Sequence, residues 1–337
     1  MIKWGFLFAV MNALAGSAQS QGDSLMPVVS ADVVWAAQYP SPAKKNKKRV
    51  KTANDLLSVI AGAGRSEELV LNKPVSLVAD DPMNFWVADQ GNGLLFNIRK
   101  NKGTAPRAFL KGKFRAESIV GICQLPDKGI LFSDSRLNKL FRLDEDQKEV
   151  IPFAAGDSLM QPTGLSLSPV THEIWVTETA AHRILVYDQQ GKRIRTIGTR
   201  GSGPGEFNYP IAVSFNRNGQ AYIVDALNYR IQVFDQSGNW IRSFGSAGNA
   251  SGYFALPKGV ATDSYGNVYV TDALFHNVQI FSPAGTFLYH FGSQGREQGQ
   301  FWIPAGIYID PMDNIYIADS YNARIQVFKL VNIKKNE

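Results

Sequence analysis

The sequence predicts an all-β fold, a six-bladed β-propeller whose ring is closed by a strand from the N-terminal part of the chain. Two observations predict it. A unit of 44 to 47 residues recurs six times and accounts for nearly the whole of the 337-residue chain. Each complete unit holds four short runs rich in Val, Ile, Tyr and Phe, separated by turn residues. Four strands per unit of this length are typical of a propeller blade.

The repeat is clearest near the C-terminus. Three phrases follow one another at a stride of 47 residues: YIVDALNYRIQVF from Tyr222, YVTDALFHNVQIF from Tyr269 and YIADSYNARIQVF from Tyr316. Each copy starts with a Pro and a short apolar run, then passes through a turn rich in Asn, Gly and Asp. A second apolar run ends in an acid, and a polar loop leads to the third run. Weaker copies of this layout extend back to Lys73, so the propeller is expected to start near the first of them.

One acidic residue ends the second run of every copy. The six are Asp89, Asp134, Glu178, Asp225, Asp272 and Asp319. Carboxylates at these positions could form a ring that binds a cation or a sugar. Alternatively, each could accept backbone N–H groups and hold its own turn together. Because the acid recurs in every copy, whereas a binding site needs asymmetry, the pattern favours the structural interpretation.

The N-terminal residues 1–18 are expected to be a signal peptide. One Lys precedes twelve mostly apolar residues from Trp4 to Ala15, and small residues follow, with cleavage expected after Ala15 or Ala18. The apolar run is too short for a transmembrane helix, which needs about 20 residues. The alternative is a buried apolar start to the domain, which the repeats do not require. The mature chain is therefore expected to be exported, periplasmic or secreted, without a transmembrane segment.

Residues 19–54 are expected to be a basic lead-in, and residues 55–332 the propeller. The sixth copy stops before its outer strand, and DLLSVIAGAG from Asp55 resembles the outer-strand phrase NWIRSFGSAG from Asn239. We therefore expect residues 55–61 to supply the outer strand of blade six. This would close the ring and leave no open sheet edge.

The net charge of +6 is concentrated in the lead-in. The cations are Lys44, Lys45, Lys47, Lys48, Arg49 and Lys51, and the rest of the chain is close to neutral. The segment could contact an anionic surface such as lipid head groups or polyanions. The alternative, which the pattern favours, is a solvated lead-in. Because the chain is expected to be exported, no nucleic-acid partner is expected. The single Cys123 lies in an apolar run and is expected to be a buried, unreactive thiol.

The pattern of the repeats is similar to the NHL repeat. It combines Pro-x-Gly and an apolar run with Gly-x-Val-Tyr-Val-x-Asp and Asn-x-Arg-Ile-Gln-Val-Phe, closely over residues 203–330 and more weakly over 67–200. The resemblance implies a six-bladed propeller and leaves the activity open. The family includes RNA-binding modules, ligand-sensing extracellular domains, adhesion modules and enzymes such as peptidyl-hydroxyglycine amidating lyases.

His182 and His276 are the candidate metal ligands that this resemblance implies. Each lies four residues after the blade acid, in the third and fifth copies. In the amidating lyases zinc is held by histidines from alternate blades, which would place a third His at position 93, where this chain has Gly93. Catalytic zinc normally takes three protein ligands. The set is therefore incomplete, and the alternative is that both are ordinary loop residues.

Six residues of the same loops are candidate ligand-binding residues. They are Arg183, Tyr229, Arg230, Phe275, Tyr321 and Arg324. The arginines could face an anionic ligand, or bridge charges within the blade. The aromatic residues, with Tyr209, Phe254 and Trp302, could stack on sugars or peptide side chains, or pack in the core.

No catalytic motif occurs in the chain, and no catalytic residue or cofactor is expected. The sequence therefore predicts an exported, non-catalytic binding or scaffold propeller that contacts a peptide, glycan or protein partner through one face of the disc. The alternative is a metal-dependent lyase or hydrolase that uses zinc bound by His182 and His276.

Overall fold

The computed structural model of this chain describes residues 3–4, 29–40, 70–81, 84–99, 107–109, 114–144 and 149–335. The basic segment 44–51, the segment 55–61 and most of the predicted signal peptide lie outside the described residues. Within them, no helix is both long enough and apolar enough to cross a membrane.

Five blades are four-stranded antiparallel sheets in which the chain runs from the innermost to the outermost strand. Blade one contains β3 (Pro74–Asp81), β4 (Asn84–Asp89), β5 (Leu94–Arg99) and β6 (Arg107–Phe109). Blade two contains β7 (Ile119–Gln124), β8 (Ile130–Asp134), β9 (Lys139–Leu143) and β10 (Val150–Phe153). Blade three contains β11 (Pro162–Leu167), β12 (Ile174–Glu178), β13 (Arg183–Tyr187) and β14 (Arg193–Ile197). The predicted strand order is thus confirmed for these units.

The second half of the ring repeats this plan. Blade four contains β15 (Pro210–Phe215), β16 (Ala221–Asp225), β17 (Arg230–Phe234) and β18 (Trp240–Phe244). Blade five contains β19 (Pro257–Thr262), β20 (Val268–Asp272), β21 (Asn277–Phe281) and β22 (Phe287–Phe291). Blade six contains β23 (Pro304–Ile309), β24 (Asn314–Asp319) and β25 (Arg324–Lys335). The fourth strand of this last blade comes from elsewhere in the chain.

An N-terminal strand completes blade six, as predicted, but its position differs from the expected one. The strand is β2 (Val29–Tyr39), which pairs antiparallel with β25. The outer strand of blade six was predicted at residues 55–61. It is formed instead by Val29–Tyr39, which was expected to belong to the lead-in. Val33 of β2 is fully buried and the Trp35 indole N–H donates to the Gln326 side chain at 3.1 Å, so packing fixes this strand in the blade.

A fifth strand, β1 (Lys3–Trp4), pairs with β2 at the edge of blade six. It lies within the predicted signal peptide. Cleavage after Ala15 or Ala18 would remove β1 and leave blade six with four strands, like the other blades.

The ring is closed because the inner strand of blade six, β23, packs beside that of blade one, β3. The Pro-x-Gly motif explains how closely inner strands approach. A Cβ atom on Gly164 would lie 2.6 Å from the Ala212 Cα of blade four, and one on Gly306 would lie 2.5 Å from the Val75 carbonyl of blade one. A side chain at either position would push neighbouring blades apart.

The hydrophobic core lies between successive blades. The second strands of blades two to six are buried along their whole length, because a neighbouring blade covers each face. Tyr222, Tyr269 and Tyr316, which occupy one repeat position, are at most 1% exposed. Cys123 belongs to the same core, and burial raises the pKa of its thiol to about 12, as expected for an unreactive cysteine.

Candidate functional site

One face of the disc carries nearly all the candidate residues. In the register of blade four, Pro210 at the start of the inner strand pairs with Asp225 at the end of the second strand, and the other blades share this register. The connections between blades and the loops after the second strands therefore emerge together. We call this the loop face.

The six blade acids do not line the channel mouth. Each is 0% exposed and accepts a backbone N–H from the connection that leads into its own blade. In blade five, for example, Asp272 accepts the N–H groups of Ala255 at 2.8 Å and Phe275 at 3.1 Å. The structure therefore supports the interpretation of the acids as turn supports. Within the described residues, no group of three His, Cys, Asp or Glu side chains could hold a metal ion.

The blades fall into two kinds, according to what else the acid binds. In blades three, four and six an arginine starts the third strand and its Nε–H donates to the acid. In each of these blades the loop between the acid and the arginine forms a 3-10 turn, at Thr179–Ala181, Ala226–Asn228 and Ser320–Asn322 respectively. In blades one, two and five the third strand starts with Leu94, Lys139 or Asn277. There the acid receives the loop N–H groups itself.

The residue just before the third strand contacts the next blade in three of the six blades. In all six blades it has a φ between 52° and 64°. In blade two it is Asn138, whose side-chain oxygen accepts the N–H of Gln161 in the next connection at 2.8 Å. In blade three the His182 Nδ1 accepts the N–H of Tyr209 at 3.1 Å. In blade five the His276 Nδ1 accepts the N–H of Ile303 at 3.1 Å.

The remaining three blades place Gly93, Tyr229 and Ala323 at this position, and none of these side chains accepts the next blade's N–H. In these three cases the equivalent N–H group of the next blade belongs to Ser118, Leu256 or Lys73. It donates to the acid of the blade in which it lies. Gln161, Tyr209 and Ile303, which meet an acceptor from the preceding blade, have positive φ angles of 54°, 55° and 52°. An Asn or His at this position therefore joins two blades, and the residue that donates to it has a positive φ.

This role does not fit a zinc site. For Nδ1 to accept an N–H group, the neutral imidazole must carry its proton on Nε2. Nε2 then has no lone pair for a metal, whereas metal-binding histidines donate from their second nitrogen to an acceptor. The third position is Gly93, which has no side chain. The residues present do not fit the zinc centre that the resemblance implied.

Burial lowers the pKa of His182, and the positive charge of Arg200 adds to this effect. The side chain is 7% exposed and its ring lies 4.5 Å from that of Tyr209, edge to face. Hydrogen bonding at Phe207 and the charge of Asp225 oppose the shift. The neutral form, which the interblade bond requires, is therefore favoured.

The predicted arginines are held by the protein itself. Arg324 uses its three nitrogens for Asp319, Gln38 and the carbonyls of residues 296, 297 and 300. Arg230 binds Asp225 and the carbonyls of Gly203 and Glu206. Arg183 binds Glu178 and is the most exposed of the three. Their contacts favour the alternative of charge bridging within the blade.

The aromatic candidates are not equivalent. Phe254 is fully buried in the core between blades four and five, which agrees with the alternative of core packing for this residue. Tyr229, Phe275 and Trp302 are partly exposed. Tyr321 is 53% exposed, so it remains available for a ligand.

Exposed apolar side chains follow one another over blades three to six of the loop face. We call this set the apolar arc: Met160, Tyr209, Leu227, Leu274 and Tyr321. Leu227, Leu274 and Tyr321 occupy the second position after the blade acid in three successive blades. The matching positions in blades one and two hold Gly91 and Arg136. The second position after the blade acid therefore carries a large exposed apolar side chain in blades four to six only, an asymmetry that the repeat alone does not require. Val70, in the connection into blade one, is a further exposed apolar residue of the loop face outside the arc.

Two lysines lie where inner strands begin, Lys258 in blade five and Lys73 directly before the inner strand of blade one. Lys258 is the second residue of β19, the inner strand of blade five, and it is partly buried. Burial lowers the pKa of Lys258, and the positive charge of Lys73 lowers it further. The Lys73 Nζ lies 5.9 Å from the centre of the Tyr321 ring. The Tyr321 ring lies 6.1 Å from that of Trp302, over which the Arg296 guanidinium stacks at 5.0 Å.

The opposite end of the inner strands encloses a cavity of about 230 Å³. Its lining includes Ser166, Ser214, Arg217 and Asp313. Arg217 donates to the Pro311 carbonyl and Asp313 accepts from Ser264, so both charged groups serve contacts between loops. None of the sequence-predicted site residues lies there.

Comparisons with known proteins agree with this architecture. The family described as NHL repeat matches residues 301–328, and the family described as 6-bladed beta-propeller matches residues 165–220. No curated protein matches the chain.

Solved structures of similar fold include proteins of different activity. An auxiliary nutrient binding protein from Bacteroides ovatus is 12% identical, with a TM-score of 0.62 over 78% of this chain and 70% of that chain. A virginiamycin B lyase from Staphylococcus aureus is 16% identical, with a TM-score of 0.57 over 78% and 98%. A gluconolactonase from Xanthomonas campestris is 14% identical, with a TM-score of 0.59 over 78% and 87%. At these identities the likeness concerns the fold alone. The chain is a six-bladed β-propeller, and its residues 301–328 match the NHL repeat.

Proposed function

We propose that this chain is an exported binding protein that holds a peptide or protein partner on its loop face. The observation that carries the proposal is the apolar arc. Exposed apolar groups that gather on one side of a surface mark interaction sites more often than scattered ones do. The arc consists of three aliphatic side chains and two tyrosines, a composition that suits peptide side chains. A glycan partner would depend mainly on the exposed aromatic rings.

The contacts of the loops support binding rather than catalysis. The carboxylates and both candidate histidines are engaged in holding turns and blades. Rigid loops present their outward side chains with little loss of conformational entropy on binding, which favours affinity. A virginiamycin B lyase and a gluconolactonase share the fold, but a shared fold does not transfer an activity.

Peptide selection on the immobilised protein tests this proposal. Peptides selected from a displayed library would be measured for affinity against wild type, Leu227→Asp and Leu274→Asp. Each variant places a charge in the arc, so we expect affinity to fall by roughly tenfold or more. Val170→Asp and Met312→Asp change exposed apolar residues outside the loop face and serve as matched controls.

The proposal fails if no peptide is selected, or if the loop-face and control variants bind equally well. Enrichment on a glycan array without peptide binding would replace the peptide by a sugar ligand. Export is tested separately by sequencing the N-terminus of the mature protein. A start at residue 16 or 19 would agree with the proposed signal peptide, and an intact Met1 would contradict it.

A further inference from the structure

The cavity of about 230 Å³ lies at the end of the inner strands opposite the loop face, between the turns of blades three to six. Hydroxyl and charged side chains from all four blades border it. They are Ser166 of blade three, Ser214 and Arg217 of blade four, Thr262 and Ser264 of blade five, and Asp313 of blade six. Cavities that hold drug-sized ligands measure about 300 to 1,000 Å³, so this one suits a smaller molecule.

The two charged residues Arg217 and Asp313 depart from the repeat. In the turn after the inner strand, Arg217 stands where blade five has Ser264, and Asp313 stands where blades four and five have Gly219 and Gly266. These glycines have φ angles of 80° and 83°, and Asp313 has a φ of 59°, so blade six keeps a side chain at a position that favours glycine. The turn needs neither charge, whereas a binding site needs such asymmetry among the repeats.

Hydrogen bonds hold both charged side chains at the cavity. The Arg217 guanidinium donates to the Pro311 carbonyl at 2.9 Å and so reaches from blade four to blade six. Asp313 accepts the Ser264 N–H at 2.8 Å on one oxygen and the Ser264 hydroxyl at 2.6 Å on the other. These contacts leave capacity for a ligand, because a guanidinium has further N–H donors and each carboxylate oxygen can accept a second hydrogen bond.

Two further hydroxyl groups border the same space. Ser166 and Ser214 occupy one repeat position in blades three and four, are partly exposed, and have no side-chain hydrogen bond within the described part of the chain. Blades one, two and five have Val78, Cys123 and Ala261 at this position. The hydroxyls therefore stand where these blades use apolar side chains, and they add both donors and acceptors to the cavity.

We propose that this cavity binds a neutral molecule with several hydroxyl groups, of about the size of a monosaccharide. A guanidinium only donates hydrogen bonds and a carboxylate only accepts them, whereas a ligand hydroxyl does both and so suits either group. An anion would lie beside Asp313, and a cation beside Arg217. The partly exposed rings of Phe215 and Tyr308 add apolar surface for the C–H face of a sugar ring. The site lies on the face opposite the apolar arc, so it goes beyond the proposed function and does not depend on it.

Calorimetric titration with small neutral sugars tests the site. The wild-type chain would be titrated with glucose, galactose, mannose and myo-inositol, and separately with alanine, a zwitterion, and succinate, a dianion. At least one of the neutral polyols should bind, and alanine and succinate should not.

Two variants replace the charged residues by those that other blades have at the same positions, so the turns should still fold. Arg217→Ser copies blade five, and Asp313→Gly copies blades four and five. Each should weaken the binding of the polyol by roughly tenfold or more, because hydrogen bonds to a charged group are lost. Lys128→Gly makes the matching exchange in the turn of blade two, which does not line the cavity, and should bind like wild type.

A second measurement reports on the place of binding. Arg217 is exposed and should react with phenylglyoxal, an arginine-selective reagent. The polyol that binds should slow the modification of Arg217 and leave that of Arg200, an exposed arginine of the loop face, unchanged. Mass spectrometry of the labelled peptides gives both rates.

The site would be overturned if no polyol binds, or if Arg217→Ser and Asp313→Gly bind it as tightly as wild type does. Stronger binding of alanine or succinate, lost in these two variants, would overturn the assignment to a neutral ligand. The arc variant Leu227→Asp should bind the polyol like wild type. A loss of binding in that variant would place the sugar on the loop face and remove the argument for this cavity.

Discussion

At the scale of single residues, one loop position explains the candidate histidines. Asn138, His182 and His276 lie before the third strand and accept a backbone N–H of the next blade, whereas Gly93 and Ala323 cannot. Two His in alternate blades resemble part of a zinc centre in the sequence. Their hydrogen bonds assign them to the joints between blades instead. The contact of His182 makes its joint sensitive to protonation.

The first prediction concerns the pH dependence of stability. Burial and Arg200 lower the pKa of His182 below that of the unfolded chain, which is about 6.5. Between these two pKa values the unfolded state binds more protons, so the free energy of unfolding decreases as pH falls. The contribution of His182 should be complete above pH 6.5 and be lost progressively as pH falls through its lowered folded-state pKa. Urea unfolding between pH 8 and 5 measures this decrease.

Two variants test whether the protonation of His182 causes that decrease. His182→Asn introduces the acceptor that Asn138 uses in blade two, tolerates the positive φ, and does not titrate. It should retain the stability of wild type at pH 8 and show a weaker pH dependence. His182→Ala should lose about 1 kcal/mol at pH 8. Identical pH profiles for wild type and His182→Asn would refute the assignment.

The second prediction concerns metal content. Because the interblade bonds place the proton on Nε2 of both histidines, protein purified without added metal should contain less than stoichiometric zinc. Elemental analysis of wild type beside the His182→Ala, His276→Ala double variant provides the measurement. One zinc per chain in wild type, lost in the double variant, would restore the lyase or hydrolase alternative.

At the scale of elements, the two kinds of blade follow from one residue at the start of the third strand. An arginine there binds the blade acid, and the N–H of the second loop residue then donates to the preceding connection, as the Leu227 N–H does to the Asn208 carbonyl. Without the arginine, the acid receives the loop N–H groups itself. The acid is buried in both cases. Its partners change, but its role in holding the loop does not.

The third prediction compares two of these arginines. The Arg324 side chain is 8% exposed and that of Arg183 is 35% exposed, and each binds a fully buried acid. Arg324→Met should lower the free energy of unfolding by about 3 kcal/mol, because it leaves Asp319 buried without its cation. Arg183→Met should lower it by about 1 kcal/mol or less, because water reaches that pair. Chemical denaturation of both variants checks the order. A larger effect at Arg183 would contradict the argument from burial.

At the scale of the whole molecule, the ring depends on a strand that is remote in sequence. The blade repeats end at β25, and β2 covers its open edge with a pairing that spans almost 300 residues of chain. Val33 of β2 packs with Ile315 and Phe328 of blade six. The closing strand therefore supports both the sheet and the core of that blade. Unpaired, β25 would expose a long edge to other chains.

The fourth prediction tests this closure. Val33→Asp places a charge in the core and should destabilise the protein by about 3 kcal/mol. Ala36→Asp lies on the same strand with an exposed side chain and should change stability by no more than about 0.5 kcal/mol. Thermal unfolding and light scattering should find a lower midpoint and earlier aggregation for Val33→Asp alone. Equal behaviour of the two variants would mean that β2 does not contribute to the folded ring.

The sequence by itself determined the number of blades, the order of their strands and the structural use of the blade acids, because these features recur and repetition is visible in a single chain. It also predicted closure by an N-terminal strand, but it chose residues 55–61 by likeness to an outer-strand phrase. Only the tertiary structure identifies Val29–Tyr39 as the closing strand, since pairing with β25 and the burial of Val33 depend on partners distant in sequence. Contacts between residues distant in sequence also hold Arg324 on all sides, whereas Tyr321 is exposed, and the sequence alone does not show this difference.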